Sequence, residues 1–179
     1  MRRRLNDEEW AEAIRTFEHT AFRLEQQRQY AEPAGTVERF LAGDPQPPDD
    51  VPEFRAWADD IRTLTQQGKR IERVRIHDDP PTGYQRWERW AGQQTIAAGE
   101  VIRYISRHRA YEVGLLPAAG PDDWWLMDDD RLVVMHFNTE GHLDESELVT
   151  DPDWVTRACE WWRLAVRHSA PDLTGVRLP

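Results

Sequence analysis

Lys69-Arg70-Ile71-Glu72-Arg73-Val74-Arg75-Ile76-His77 decides the architecture. The stretch alternates, with Glu72, Val74 and Ile76 on one side and Arg73, Arg75 and His77 on the other, which is the period of a strand carrying a basic face. Downstream, Asp79-Pro80-Pro81 breaks the strand, Tyr84, Trp87 and Ala91 fall at helical spacing, and Gly99-Glu100 turns the chain into Val101-Ile102-Arg103-Tyr104-Ile105. Strand, helix and strand within about 35 residues predict a βαβ unit with parallel strands and a right-handed crossover. Upstream, Asp50 can cap a helix carrying Phe54, Trp57, Ala58, Ile61 and Leu64 on one face and stopping at Gly68.

Before that helix, Asp44-Pro45-Gln46-Pro47-Pro48-Asp49-Asp50 reads as a loop, because proline removes donors and aspartate favours turns. Asn6-Asp7-Glu8-Glu9 opens a helix with Trp10, Ala13, Ile14, Phe17 and Ala21 on its apolar face. Phe22-Arg23-Leu24-Glu25 alternates as a short strand would, and Thr36 to Ala42 reads as a short helix stopped by Gly43. The last third changes character. Trp124 to Met127, the turn Asp128-Asp129-Asp130, Leu132 to Phe137, the turn Asn138-Thr139-Glu140-Gly141 and His142 to Val149 predict an antiparallel meander. Asp151-Pro152 then opens a final helix through Trp154, Val155, Ala158, Trp161, Trp162, Ala165 and Val166. The sum is a single α/β domain with a mixed sheet of about five strands, near 70–77, 101–105, 123–127, 131–137 and 143–149, flanked by helices. Residues 1–50, the N-terminal helical arm and its Pro/Asp-rich loop, are expected to pack on a core formed by 51–179.

The 179 residues carry a net charge of −10, nine tryptophans and one cysteine. Mean hydropathy is −0.80, yet the aromatic content is that of a folded chain and not of a disordered one. Charge is uneven: residues 61–110 hold ten basic against five acidic side chains, while both flanks are acidic. A pI near 5.1 disfavours direct DNA binding. No apolar run approaches the roughly 18 residues of a membrane span, and Met1-Arg2-Arg3-Arg4 lacks the apolar stretch of a signal peptide, so a cytoplasmic protein is expected. Cys159 alone can form neither an internal disulfide nor a Cys-based zinc cluster. Gly-x-Ser-x-Gly is absent, and Gln66-Gln67-Gly68-Lys69 lacks the first glycine of a phosphate loop. His136 and His142 with the aspartates of 128–130 do not form a calcium-loop pattern. No metal or cofactor is expected.

The basic strand carries the candidate site. Arg70, Arg73 and Arg75, with Arg103 on the partner strand, could grip an anion through planar guanidinium groups, unless the acidic flanks neutralise them. Trp124 and Trp125 must point to opposite sides of their strand, so one is exposed unless a helix covers it. Tyr84 and His136 complete the candidates.

Phe17-x-His19-x-Ala21-Phe22-Arg23-Leu24-Glu25, Tyr30, Gly68-Lys69-Arg70-x-x-Arg73-Val74-Arg75-Ile76, Tyr84, Gly99-Glu100-Val101-Ile102-Arg103, Trp125-Leu126-Met127-Asp128 and His136-Phe137-Asn138 resemble a family of uncharacterised actinobacterial proteins encoded beside Xre-type helix-turn-helix regulators. That resemblance implies a non-catalytic regulatory or interaction role, with such a transcription regulator as protein partner, DNA contacted only indirectly, and a homodimer compatible. Residues 68–170 also resemble half of a phospholipase-D-like domain, whose chemistry uses a His-x-Lys motif. The sequence departs from it: Lys69 is the sole lysine, and His136 is followed by Phe137 and Asn138. Two further readings stay open, a sensor of an anionic small molecule through an Arg/Trp-lined pocket and a phosphodiesterase-like enzyme using His136.

Overall fold

A computed structural model describes residues 1–172. The elements run β1 (Arg2–Leu5), α1 (Asp7–Arg15), β2 (Thr20–Glu25), α2 (Thr36–Leu41), α3 (Pro52–Gln66), β3 (Arg70–His77), α4 (Gly83–Ala91), α5 (Gln93–Ala97), β4 (Val101–Ser106), α6 (Arg107–Glu112), β5 (Asp123–Met127), β6 (Arg131–Phe137), β7 (Leu143–Val149), α7 (Pro152–His168) and β8 (Ala170–Pro171). One sheet holds eight strands in the order β1-β7-β6-β5-β2-β3-β4-β8. The expected sheet of about five strands is therefore corrected to eight: all five expected strands form, joined by β1, β2 and β8. The expected βαβ unit is present, with β3 and β4 parallel, and a second one precedes it, because β2 also runs parallel to β3 across α3.

Residues 1–50 do more than form a helical arm, since β2 sits at the centre of the sheet between β3 and β5. Its alternation explains the placement. Phe22 and Leu24 pack on one face with Val74, Ile76, Trp124 and the α7 residues Val155, Ala158 and Trp162. Ala21 packs on the other with Ile71, Trp125 and the α3 residues Ala58, Ile61 and Leu64. Helices thus cover both faces, and both Trp124 and Trp125 are buried. Phe22 stacks on Trp162 at 4.7 Å between ring centroids.

Local chemistry fixes the ends. Asn6 and Glu9 form a reciprocal capping box at α1, and Thr82 and Gln85 form another at α4. The acidic β5–β6 turn is not merely solvated. Asp128, at φ 53°, accepts the N–H groups of Glu18, His19 and Thr20 at 2.7–2.9 Å. It thereby anchors the start of β2, and these bonds hold its carboxyl below the usual range despite partial burial. At the far end of the sheet Gly141, at φ +84°, lies against the Tyr30–Ala31 backbone and accepts the Ala31 N–H through its carbonyl at 2.9 Å. A Cβ there would meet Ala31 N at 2.7 Å, so side chains are excluded by space as well as by backbone angle.

Gly141→Ala is expected to cost about 1–3 kcal/mol, as strained positive-φ positions do. Urea unfolding monitored by tryptophan fluorescence measures it, and an unchanged midpoint contradicts the close approach.

Candidate functional site

The carboxyl-terminal halves of parallel β2 and β3 bring Arg23, Glu25, Arg73, Arg75 and His77 to one face of the sheet, because each sits two residues from the next and the register sets Arg23 beside Arg73 and Glu25 beside Arg75. Glu25 is shared by three arginines. Its Oε1 lies 3.1 Å from Arg23 Nη1 and 3.0 Å from Arg73 Nη1, and its Oε2 accepts Arg75 Nε–H. Arg73 Nε–H also donates to Glu100, and Arg75 Nη1–H to the Glu88 carbonyl at 3.2 Å. Glu88 Oε2 lies 2.9 Å from His77 Nε2. Asp123 completes the set by accepting Arg23 Nη2–H at 3.2 Å and the Tyr30 hydroxyl.

Burial alone would push the Glu25 carboxyl up, but the Arg23, Arg75 and Arg73 charges overcome it and hold the group well below the ordinary carboxylate range. Asp123 moves the other way: complete burial and the nearby Glu25 charge outweigh Arg23 and raise it. The basic strand is thus neutralised inside the protein, partly by the acidic amino-terminal flank through Glu25 and partly by Glu88 and Glu100.

Above this floor lies a pocket of about 360 Å³. Its walls are aromatic, with Trp10 from α1, Phe54 and Trp57 from α3, Trp125 from β5, Phe137 from β6, and Tyr30 and Glu32 from the loop after β2. Guanidinium groups lie against ring faces: Arg23 is 5.6 Å from the centroids of both Tyr30 and Trp125, and Arg73 is 5.5 Å from that of Trp57. The indole N–H groups of Trp10, Trp57 and Trp125 are shut off from solvent without a hydrogen-bond partner among the described residues.

Of the residues expected from sequence, Arg73, Arg75 and Trp125 meet in this pocket. Tyr84 stands beside it on α4, donating its hydroxyl to Glu32 at 2.6 Å. Arg70 is largely exposed and paired with Glu72 at the other end of β3. Trp124 packs on the opposite face against α7. Alternation along β4 and β6 sends Arg103 and His136 to that opposite face as well, so they do not join the pocket. Arg23, Glu25, Tyr30, Glu32, Trp57 and Glu88 were not anticipated as site residues. The charged alternation at Arg23 and Glu25, which mirrors Arg73 and Arg75, is the signal that marks two of them.

His136 has a setting of its own. Its Nδ1 lies 3.0 Å from Asp122 Oδ1 and its Nε2 3.3 Å from Glu147 Oε2. Burial lowers its pKa, but the two carboxylates outweigh burial and raise it. Lys69 is remote in role, its ammonium donating to the Phe17 carbonyl. Among the described residues no cluster of His, Cys, Asp and Glu has the makings of a metal site, and no helix is long and apolar enough to cross a membrane.

With sheet and site in place, the architecture is phospholipase-D-like. It is similar to the phospholipase D family member Nuc from Salmonella typhimurium (TM-score 0.53, 10% identity, covering 89% of this chain and 85% of that one). It is equally similar to NucT from Helicobacter pylori (TM-score 0.53, 9% identity, covering 96% and 97%). At such identities the likeness is one of fold. Residues 8–172 match the family described as a domain of unknown function, DUF6879, and the chain belongs to that family. No curated protein matches it.

Two outcomes follow from the charges. Glu25→Gln leaves three buried guanidiniums short of an anion and is expected to destabilise by about 3–5 kcal/mol in chemical unfolding. His136 has a raised folded pKa, so its contribution is full below the unfolded value near 6.5 and is lost as pH rises through the folded value. Stability of wild type minus His136→Ala should therefore fall as pH rises above about 6.5. A flat difference contradicts the two carboxylate contacts.

Proposed function

We propose that the protein is a small-molecule-binding module that has kept a phospholipase-D-like scaffold and uses the aromatic pocket over the β2–β3 charge floor to hold its ligand. The observation that carries this reading is the pocket itself. It places six aromatic side chains, Trp10, Tyr30, Phe54, Trp57, Trp125 and Phe137, around a volume suited to a small organic molecule. Its charged floor is already neutralised by internal pairs. A site built to seize a phosphodiester would leave guanidinium or lysine charge uncommitted for the phosphoryl oxygens. Here Arg23, Arg73 and Arg75 are each engaged by carboxylates. Ligand occupancy is then the signal to which a helix-turn-helix partner, of the kind the family resemblance implies, would respond.

The likeness to Nuc and NucT favours a second reading, phosphodiester hydrolysis with His136 as nucleophile. Its setting between Asp122 and Glu147 holds the ring in a fixed orientation, but no lysine stands beside it in sequence.

Titration with indole, followed through the tryptophan side-chain signals by NMR, is expected to shift Trp57 and Trp125, and Trp57→Ala should weaken the response by about tenfold. A panel of aromatic compounds that leaves both signals unmoved removes the pocket reading. In parallel, bis(p-nitrophenyl) phosphate and single-stranded DNA are expected to turn over no faster with wild type than with His136→Ala. A rate that disappears with His136 establishes the enzyme reading instead.

A further inference from the structure

The polar groups around the pocket are not equally committed. Glu25 is held by three arginines, Glu88 by Arg75 and His77, and Asp123 by Arg23 and Tyr30. Glu32 stands apart. Its one hydrogen bond among the described residues comes from the Tyr84 hydroxyl, and no Arg, Lys or His there lies within 4.0 Å of its carboxyl. It lines the aromatic pocket and also a neighbouring cavity of about 610 Å³ beside Thr82 and Leu41, so it stands at the junction of two voids.

Among the described residues, the positive charges nearest Glu32 are paired with other carboxylates. Tyr84 and Glu88 face it from α4, Glu25 from β2 and Arg75 from β3, with Arg75 already spent on Glu25 and Glu88, while Arg28, 3.7 Å from Asp78, and Glu38 of α2 line the neighbouring cavity with it. The indole N–H groups of the wall are closed off from solvent and offer a ligand no donor in this arrangement. With Gln94 engaged by Asp49 and Thr95 by the Gly92 carbonyl, what remains for a ligand is a mainly aromatic enclosure with one carboxyl that has no counterion among the described residues. Resting on the reading of this pocket as a ligand site, we infer that Glu32 anchors the cationic head of the ligand, and that the ligand is an organic amine, amidine or guanidine on an aromatic or apolar body. An ammonium or amidinium there would form a charge-assisted hydrogen bond with Glu32 and lie among rings whose faces attract cations.

Burial, with the Glu88 and Glu25 charges nearby, raises the Glu32 carboxyl to about 7, so near neutrality it is partly protonated. A cation requires the ionised form. Binding below that pH must release a proton, and affinity should drop by up to about tenfold per pH unit there while levelling off above about pH 8.

Calorimetric titration compares benzamidine, neutral benzamide and anionic benzoate at about pH 5.5, 7 and 8.5, in buffers of differing ionisation enthalpy. Wild type at the highest pH is expected to bind benzamidine at least about tenfold more tightly than benzamide, a gap of about 1.4 kcal/mol, with proton release appearing at the lower pH values. Glu32→Gln keeps an acceptor for Tyr84; it should erase both the preference and the pH dependence, and an unfolding transition like that of wild type reports that it is folded. Should that variant fail to fold, the order of the three probes and the pH profile of wild type decide alone. Benzamide or benzoate binding as tightly as benzamidine, benzamidine affinity independent of pH, or no benzamidine binding each overturns the inference. Indole or benzamide that still shifts Trp57 in such a case leaves the pocket reading standing; silence from every probe removes both.

Discussion

The Glu25 carboxylate, buried and shared by Arg23, Arg73 and Arg75, is the constraint on which the middle of this molecule depends. Three guanidiniums from two adjacent strands converge on one anion. Each charge would be prohibitively costly to bury alone, and together they are tolerable only in the register that aligns Arg23 with Arg73 and Glu25 with Arg75. A slip by one residue would send Phe22, Leu24, Val74 or Ile76 to the charged face and an arginine to the apolar one. Apolar packing beneath the sheet and ion pairing above it therefore select the same pairing of β2 with β3, a consistency between levels that marks a well-specified fold.

The sequence was most legible where local chemistry and period agree. The β5–β6–β7 meander is bounded by turn residues and the β3–β4 crossover by Gly, Pro and helical spacing, so those five strands could be placed directly. The centre of the sheet was harder. β2 is only six residues long and follows α1 without a glycine or proline to mark it, and no period in one strand reveals which other strand it will pair with. β1 and β8 are short edge strands whose pairing with β7 and β4 is settled by tertiary contact. The same gap explains the site. Arg73 and Arg75 could be singled out from their own strand, but Glu25, Trp57 and Glu32 join them only through topology.

Charge distribution carried more information than any single motif. A basic segment between acidic flanks admits an exposed anion-binding stripe or an internally neutralised one, and composition cannot choose. Burial does. Arg73 and Arg75 are 7% and 6% exposed, and at that depth a guanidinium without a carboxylate is not sustainable, so partners had to come from neighbouring elements. Glu88 and Glu100 come from within the basic segment itself, which the segment totals conceal. His136 and Arg103 were grouped with these arginines by residue type, yet strand alternation sends them to the opposite face of the sheet.

A phospholipase-D-like scaffold does not prescribe what its pocket does, because function resides in the groups the scaffold carries. In this chain the arginines of the pocket floor are paired with carboxylates, and under the proposed ligand-binding role that pairing changes what the walls would select. A site rich in free guanidinium would favour anions over long range and bind them whatever their shape. Once Glu25, Glu88, Glu100 and Asp123 have absorbed the arginines, long-range attraction for anions is largely cancelled, and discrimination passes to short-range terms: ring contacts, enclosure and the remaining carboxyl at Glu32. The arginines then act as a rigid base. Their stems and planar heads support Tyr30, Trp57 and Trp125 from beneath through cation–π contacts, fixing the aromatic walls in place, and under the proposed ligand-binding role that preorganisation would lower the ordering entropy opposing binding.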